Sequence, residues 1–247
     1  MKILRLYLGS MSGTALGPAA PFYGYALVHR EGVAIVDTGF GGIFGSTERA
    51  GELRYRDLSC SWIRRTAVEA LADHGIGPTD VDLVINTHLG DHSGDNHLFP
   101  GARFVVRADE VAWHRAGRAP MAERSRQDWD FPGAQLEQLA GGEIEVLPGV
   151  TCLSTPGHTP GHQSVLVEDG DERSLIVGDA FYTAELWQDP AQLTSDHPFW
   201  DTQVQMDGGG ELWRSSASKL IALEPTAVLF AHDHRRVGTS PAALPTP

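Results

Sequence analysis

The segment Thr87-His88-Leu89-Gly90-Asp91-His92 follows Val81–Asn86, a short apolar run that predicts a buried β-strand. Three further segments rich in histidine or aspartate also follow predicted strands: Pro156-Gly157-His158-Thr159-Pro160-Gly161-His162, Gly178-Asp179-Ala180 and Ala231-His232-Asp233-His234. Because strand ends gather at one edge of a sheet, we expect all four segments to meet in space. Imidazole and carboxylate groups together suit Zn²⁺ and similar divalent ions, so the sequence predicts a metal site.

Predicted strands and helices alternate in both halves of the chain. The predicted strands are Lys2–Leu8, Tyr25–His29, Val33–Asp37, Val81–Asn86, Arg103–Arg107, Ile144–Leu147, Thr151–Ser154, Gln163–Glu168, Ser174–Val177 and Ala227–Phe230. The predicted helices are Ser61–His74, Ala108–Ala116 and Glu211–Leu223. This order predicts an α/β fold of the αββα sandwich type, with two mixed β-sheets flanked by helices. No stretch has the composition of a linker, so we predict a single domain over residues 1–240 and a flexible C-terminal tail at 241–247.

Composition excludes several classes of partner. A formal net charge of −13 argues against binding to a phosphate backbone, and nucleic acid is not expected as a partner. No apolar run approaches the roughly 18 residues that cross a bilayer, so no membrane partner is expected. The only cysteines, Cys60 and Cys152, form no disulfide framework, which favours a reducing cytoplasm. The oligomeric state is left open.

The four segments together resemble the metallo-β-lactamase superfamily, whose signature is His-x-His-x-Asp-His after a strand, followed by later His, Asp and His ligands. The resemblance runs from about Lys2 to His234. It implies the αββα fold and a site for one or two metal ions, with Zn²⁺ expected and other divalent metals or iron as alternatives. Carried over by position, the implied metal ligands are His88, Asp91, His92, His158, Asp179 and His232, with Asp179 bridging both metals.

The chain departs from this signature at one position. The family has three residues between its first His and its Asp, whereas here only Leu89 and Gly90 separate His88 from Asp91. We align His88 with the first His and regard the second as lost. The resemblance then implies a complete site 2, formed by Asp91, His92, His232 and the shared Asp179. Site 1 keeps only His88, His158 and Asp179, so we expect nearer one metal equivalent than two.

A narrower resemblance concerns the substrate. The motif Asp179-Ala180-Phe181-Tyr182 is similar to the Asp-x-x-Tyr of N-acyl-homoserine lactonases, the quorum-quenching enzymes of the superfamily. The segment Thr155–Ser164 is also lactonase-like. This implies a small-molecule ester or lactone as substrate, opened by metal-bound hydroxide. Tyr182 is then implied to contact the lactone oxygens, and Asp91 to pass a proton to the leaving alkoxide. A core position without a chemical role is the alternative for Tyr182.

Other interpretations stay open at this point. Glyoxalase II and thioesterase relatives share much of the Thr155–Ser164 segment, so an acyl-thioesterase is the competing enzyme. A degenerate, non-catalytic metal- or ligand-binding member and a mono-iron oxygenase are further alternatives. His162 is interpreted as structural and Asp37 as orienting a loop or ligand, while His97 could replace the lost ligand. The apolar residues between Glu185 and Gly210 form either a packed connection or a wall for an acyl chain, with the loop Gly9–Gly24 opposite.

Overall fold

The computed structural model describes residues 1–12, 20–41, 50–55, 58–120, 122–206 and 209–238, and these form two mixed β-sheets with helices alongside. The chain divides into two compact units between Ala140 and Gly141. The single domain over 1–240 therefore stays a prediction. The predicted tail at 241–247, and much of the loop between Gly9 and Gly24, lie outside the described residues.

The first unit contains an eight-stranded sheet. Its strands are β1 (Lys2–Ser12), β2 (Ala20–His29), β3 (Gly32–Val36), β4 (Ala50–Tyr55), β5 (Leu58–Arg64), β6 (Val81–Ile85), β7 (Arg103–Arg107) and β8 (Gln135–Leu139). They are ordered β4-β5-β1-β2-β3-β6-β7-β8, and the neighbours from β3 to β8 are parallel. The carboxyl ends of β3 and β6 therefore lie side by side, which places Asp37 next to the segment that follows Ile85.

Among the described residues of this unit, three α-helices accompany the sheet: α1 (Ala67–Ala72), α2 (Ala108–Arg115) and α3 (Ala122–Trp129). Helix α1 begins at a capping box, in which the Thr66 side chain accepts from the Glu69 N–H and the Glu69 carboxylate accepts from the Thr66 N–H. Its apolar face, with Ala67, Ala70 and Leu71, packs into one buried cluster with strand residues that include Leu8, Ile35 and Val84.

The prediction of a helix over Ser61–His74 was wrong in its first part. Residues 61–64 belong to β5, and the helix begins only after Thr66. Trp62 is buried and Ile63 is exposed, an alternation with the two-residue period of a strand. Because Trp62 and Ile63 are both apolar, the sequence pattern could also be matched to a helical face, and the match ran through the strand into α1.

The second unit contains a six-stranded sheet. Its strands are β9 (Glu143–Leu147), β10 (Val150–Ser154), β11 (Gln163–Asp169), β12 (Glu172–Ile176), β13 (Ala227–Leu229) and β14 (Arg236–Val237), in the order β14-β13-β12-β11-β10-β9. Strands β10 and β12 both run antiparallel to β11, and β13 is parallel to β12. Consequently β10, β12 and β13 end at the same edge, and each of them is followed by one of the predicted ligand segments.

The helices of the second unit are α4 (Ala184–Gln188), α5 (Trp200–Gln203) and α6 (Gly209–Ile221). Trp213, Ala217 and Leu220 of α6 pack into a buried cluster with strand residues that include Leu175 and Val228. The Trp213 indole N–H also donates to the Ala180 carbonyl at 2.7 Å, which ties α6 to the turn that carries Asp179. None of the helices in the described ranges is both long and apolar enough to cross a bilayer.

Candidate metal and catalytic site

In the first unit, His88 and His92 lie together in the loop that follows β6. Both side chains are buried, and their ring centroids are 4.3 Å apart. His88 Nε2 lies 3.7 Å from Asp91 Oδ1, and the Asp91 side chain is 38% exposed. The shortened loop therefore still gathers two imidazoles and one partly exposed carboxylate, the donor types that Zn²⁺ accepts.

The backbone of this short loop is held by Gly90 and Leu89. Gly90 has a φ of +84°, a conformation that costs glycine little, and its carbonyl accepts from the Ser93 N–H at 3.4 Å. Leu89 is buried with Val106, Val111 and Trp129, and its N–H donates to the Glu110 carboxylate at 3.1 Å. Thus the two residues between His88 and Asp91 make structural contacts, and neither offers a side-chain metal ligand.

Asp37 orients the histidine loop, as expected from its place at the end of β3. Its Oδ1 accepts from the Thr87 N–H at 2.7 Å, and its Oδ2 accepts from the Thr87 hydroxyl at 2.7 Å. The same Oδ2 lies 2.8 Å from His92 Nδ1. Because Nδ1 of His92 is engaged by this carboxylate, Nε2 is the nitrogen that can ligate a metal.

We expect Asp37→Asn to weaken metal binding by about 10- to 100-fold, the usual effect of losing a carboxylate partner of a ligating histidine. Asparagine suits this position because Asp37 has a φ of +62°, which asparagine tolerates better than most residues. The measurement is competition with a chromophoric chelator. Asp82→Asn is the matched control, because the Asp82 carboxylate accepts from the Val33 N–H and plays no part in holding His92. Unchanged metal affinity in Asp37→Asn would remove the orienting role.

In the second unit, the Asp179 carboxylate lies between two histidines. His158 Nε2 is 3.4 Å from Asp179 Oδ2, and His232 Nε2 is 3.1 Å from Asp179 Oδ1. All three side chains are buried. The two oxygens therefore face different imidazoles, the arrangement expected of a carboxylate that bridges two metal sites. Buried imidazole nitrogens around a buried carboxylate fit a divalent metal of the zinc type.

His162 has a structural role, as predicted, because its ring bonds to the backbone of the Asp179 turn. Its Nε2 accepts from the Asp179 N–H at 3.0 Å, so that nitrogen carries no proton. The proton is then on Nδ1, which lies 2.8 Å from the Thr155 hydroxyl and 3.2 Å from the Thr155 carbonyl. His162 therefore anchors the backbone of Asp179 to the start of the loop that carries His158.

Tyr182 lies beside both histidines of this unit. Its ring centroid is 5.9 Å from that of His158 and 5.2 Å from that of His232, in edge-on geometry. Its hydroxyl donates to the Thr202 carbonyl at 2.8 Å. Phe199 packs against the same ring at 6.0 Å. The tyrosine is thus next to the candidate ligands, and its hydroxyl proton points to the segment around α5.

Asp233 fastens the segment after His232 to helix α4. Its Oδ2 accepts from the Ala184 N–H at 3.0 Å, and Arg235 pairs with both Asp233 and Glu185. Burial opposes ionisation of Asp233, but the hydrogen bonds from Arg235 and Ala184 hold the pKa of its carboxyl below the usual value. The Arg235 hydrogen bond likewise lowers the pKa of Glu185. His234 is a surface residue, with a side chain that is 75% exposed.

The stretch from Glu185 to Met206 is mostly a packed connection. Leu186, Trp187 and Leu193 belong to the buried core of the second unit, whereas Phe199 and Trp200 are only partly buried against it.

Gln203, at the end of α5, is completely buried, and its side chain donates a hydrogen bond to the Asp179 carbonyl. Gln203 was missed in the sequence because no motif or spacing distinguishes it.

His97 was suggested from the sequence as a replacement ligand. Its Nδ1 lies 3.9 Å from Asp128 Oδ1.

The profile of the metallo-beta-lactamase superfamily matches residues 23–232. The chain belongs to the metallo-β-lactamase superfamily. Among characterised members, the N-acyl homoserine lactonase AiiA of Bacillus thuringiensis subsp. kurstaki is 30% identical over 227 residues, which cover 86% of this chain and 81% of AiiA. The N-acyl homoserine lactonase AttM of Agrobacterium fabrum is 32% identical over 137 residues, half of each chain.

Solved structures of N-acyl homoserine lactonases are also similar to the structure of this chain. An AiiA variant with N-decanoyl-L-homoserine bound at its active site aligns with a TM-score of 0.72 and 27% identity, over 94% of this chain and 93% of AiiA. An N-acyl homoserine lactone hydrolase with N-hexanoyl-L-homoserine at its catalytic metal centre aligns with a TM-score of 0.69 and 28% identity, with the same coverage. The predicted metallo-β-lactamase fold and the predicted metal-dependent hydrolase are thereby confirmed.

Proposed function

We propose that this metallo-β-lactamase superfamily enzyme opens the lactone ring of N-acyl homoserine lactones or closely similar esters, and so can quench quorum signals. The observation that carries the proposal is the buried Asp179 carboxylate between His158 and His232, with Tyr182 three residues further along the chain. The relatives named as N-acyl homoserine lactonases, which share 30% identity across most of the chain, support the same substrate class.

The proposed metal ligands are the six residues predicted from the sequence: His88, Asp91, His92, His158, Asp179 and His232. Two observations support them. The first three lie close together in the first unit, and the last three lie close together in the second. In His92 and His158, Nδ1 contacts another group, which leaves Nε2 as the ligating atom. Zn²⁺ is the proposed metal, because imidazole nitrogens and carboxylate oxygens are among its usual ligands in catalytic sites. A cytoplasmic location stays a prediction.

The residues around this site are assigned different roles in ring opening. When bound, a divalent metal lowers the pKa of a coordinated water towards neutrality and polarises the ester carbonyl. Asp91, whose carboxylate is partly exposed, is assigned to accept a proton from the attacking water and to pass it to the leaving alkoxide. The Tyr182 hydroxyl is assigned to stabilise the negative charge that develops on the lactone oxygens. For this role the O–H bond has to rotate away from the Thr202 carbonyl, to which it donates in this structure.

Tyr182→Phe is expected to lower kcat by about 10- to 1000-fold on the preferred lactone, the range seen when one oxyanion donor is removed. Metal content is expected to stay unchanged because the ring, which packs against His158 and His232, is retained. Steady-state kinetics with metal analysis on the same sample measure both quantities. Tyr25→Phe, at a buried tyrosine of β2, is the control for loss of a hydroxyl elsewhere. An unaltered kcat/KM would show that Tyr182 contributes only to packing.

The substrate class is tested by comparing kcat/KM on a panel of acyl-homoserine lactones, acyl-thioesters and β-lactams. We expect lactones to be preferred, with longer acyl chains favoured by the partly buried Phe199 next to Tyr182. A preference for thioesters would establish the competing thioesterase function. Metal binding without turnover of any of these substrates would establish a non-catalytic member. Iron in the freshly purified protein, with oxygen consumption, would establish an oxygenase.

A further inference from the structure

Gln203 makes two side-chain hydrogen bonds to the turn that carries Asp179. Its Nε2 donates to the Asp179 carbonyl, and its Oε1 accepts from the Tyr182 N–H at 3.3 Å. The residue is completely buried at the end of α5. A backbone carbonyl can only accept and a backbone N–H can only donate, so both bonds require the same orientation of the carboxamide. The side chain of Gln203 therefore connects the two ends of the Asp179–Tyr182 turn.

The backbone around Gln203 also holds His158 at two points. The Gln203 carbonyl lies 3.2 Å from His158 Nδ1, and the Gln205 N–H donates to the His158 carbonyl at 3.0 Å. The neighbouring Thr202 carbonyl accepts from the Tyr182 hydroxyl. One short segment thus contacts the ring and the backbone of His158, the backbone of Asp179, and both the backbone and the hydroxyl of Tyr182.

We propose that Gln203 is a positioning residue that fixes the Asp179 carboxylate between His158 and His232 for metal binding. This inference rests on the proposed ligation of metal by Asp179. Metal–ligand bonds tolerate displacements of only a few tenths of an ångström, so a loosened turn lowers the metal affinity even when the Asp179 carboxylate itself is unchanged. Helix α5 has only four residues and cannot maintain this geometry by its own backbone bonds. The carboxamide of Gln203 connects it to the ligand turn.

Gln203→Met tests the proposal, because methionine has a similar length and offers neither of the two hydrogen bonds. We expect Zn²⁺ affinity, measured by competition with a chromophoric chelator, to fall by about 10- to 100-fold. The increase in melting temperature on adding Zn²⁺ to the metal-free protein is expected to shrink accordingly. With saturating metal, kcat is expected to fall more than KM rises. Gln205→Met is the matched control, because its contact with His158 is made by the backbone.

Gln203→Asn is the milder second variant. It keeps the carboxamide but draws it back by one methylene, so that it cannot reach both partners. We expect its Zn²⁺ affinity to lie between those of the wild type and Gln203→Met. If Gln203→Met does not fold, Gln203→Asn decides the matter. A purely structural role would lower the stability of the metal-free and metal-bound forms equally, with affinity within twofold of the wild type, and that result overturns the proposal.

The variant of the shared ligand, Asp179→Ala, separates this proposal from the proposed function. If Asp179→Ala keeps its metal, the proposed ligand set is wrong, and Gln203 has no ligand geometry to maintain. If Asp179→Ala loses metal while the Gln203 variants bind it as the wild type does, only the positioning role fails.

Discussion

Asp179→Ala is expected to lose its bound metal and to hydrolyse lactones at least about 1000-fold more slowly than the wild type. The wild-type carboxylate faces His158 with one oxygen and His232 with the other, so a single substitution removes the ligand that both proposed metal positions share. Loss of metal also removes the hydroxide source, and this is why the effect exceeds that of losing one hydrogen-bond donor.

The same substitution is expected to lower the melting temperature in the presence of metal. A ligand at 100 times its dissociation constant stabilises the folded state by about 2.7 kcal/mol, and Asp179→Ala gives up that contribution. Elemental analysis, kinetics and thermal melts on one preparation give the three readouts. Asp171→Ala, on the exposed turn between β11 and β12, is the control for removal of a carboxylate. A variant with full metal content and full activity would contradict the assignment of Asp179.

Insertion of a histidine between Leu89 and Gly90 is expected to raise the metal content from about one to about two equivalents per chain. The insertion restores the superfamily spacing His-x-His-x-Asp-His ahead of Asp91 and His92. One residue adds up to about 3.5 Å of chain reach, far more than a metal–nitrogen bond can absorb by adjustment. The wild-type loop cannot compensate, because Leu89 is buried in an apolar cluster and Gly90 forms the turn.

Insertion of alanine at the same place is the matched control. It lengthens the loop equally but adds no ligand, so we expect it to bind no second metal ion. The histidine insertion is also expected to hydrolyse its ester faster than the wild type. Two tightly bound metal ions in the unmodified protein would contradict this prediction and would show that another group completes site 1.

The sequence predicted the location of the site better than its supporting contacts. Strand ends followed by histidine and aspartate are a local pattern, and β10, β12 and β13 do end at one edge of their sheet. His162 and Asp37 were also interpreted correctly as supporting residues, because each stands next to a recognisable segment. The ligating roles of the six metal residues stay proposals.

Gln203 shows why the rest could not be predicted. Its bonds to Asp179 and Tyr182 join positions 24 and 21 residues apart, and nothing around Gln203 has a period or a motif. The same holds for Glu110, which accepts from the Leu89 N–H across 21 residues. Such contacts depend on how the chain folds back on itself, which a local pattern does not show. Strand β5 was missed for a different reason: over a short segment, adjacent apolar residues fit both the period of a strand and that of a helix.

The rate of ring opening of an N-acyl homoserine lactone tests the central claim most directly, measured before metal removal, after it, and after Zn²⁺ is added back. The proposed metal-dependent lactonase predicts that hydrolysis disappears with the metal and returns with Zn²⁺. Lactone opening that survives complete removal of metal, or none at all with Zn²⁺ bound, would contradict it.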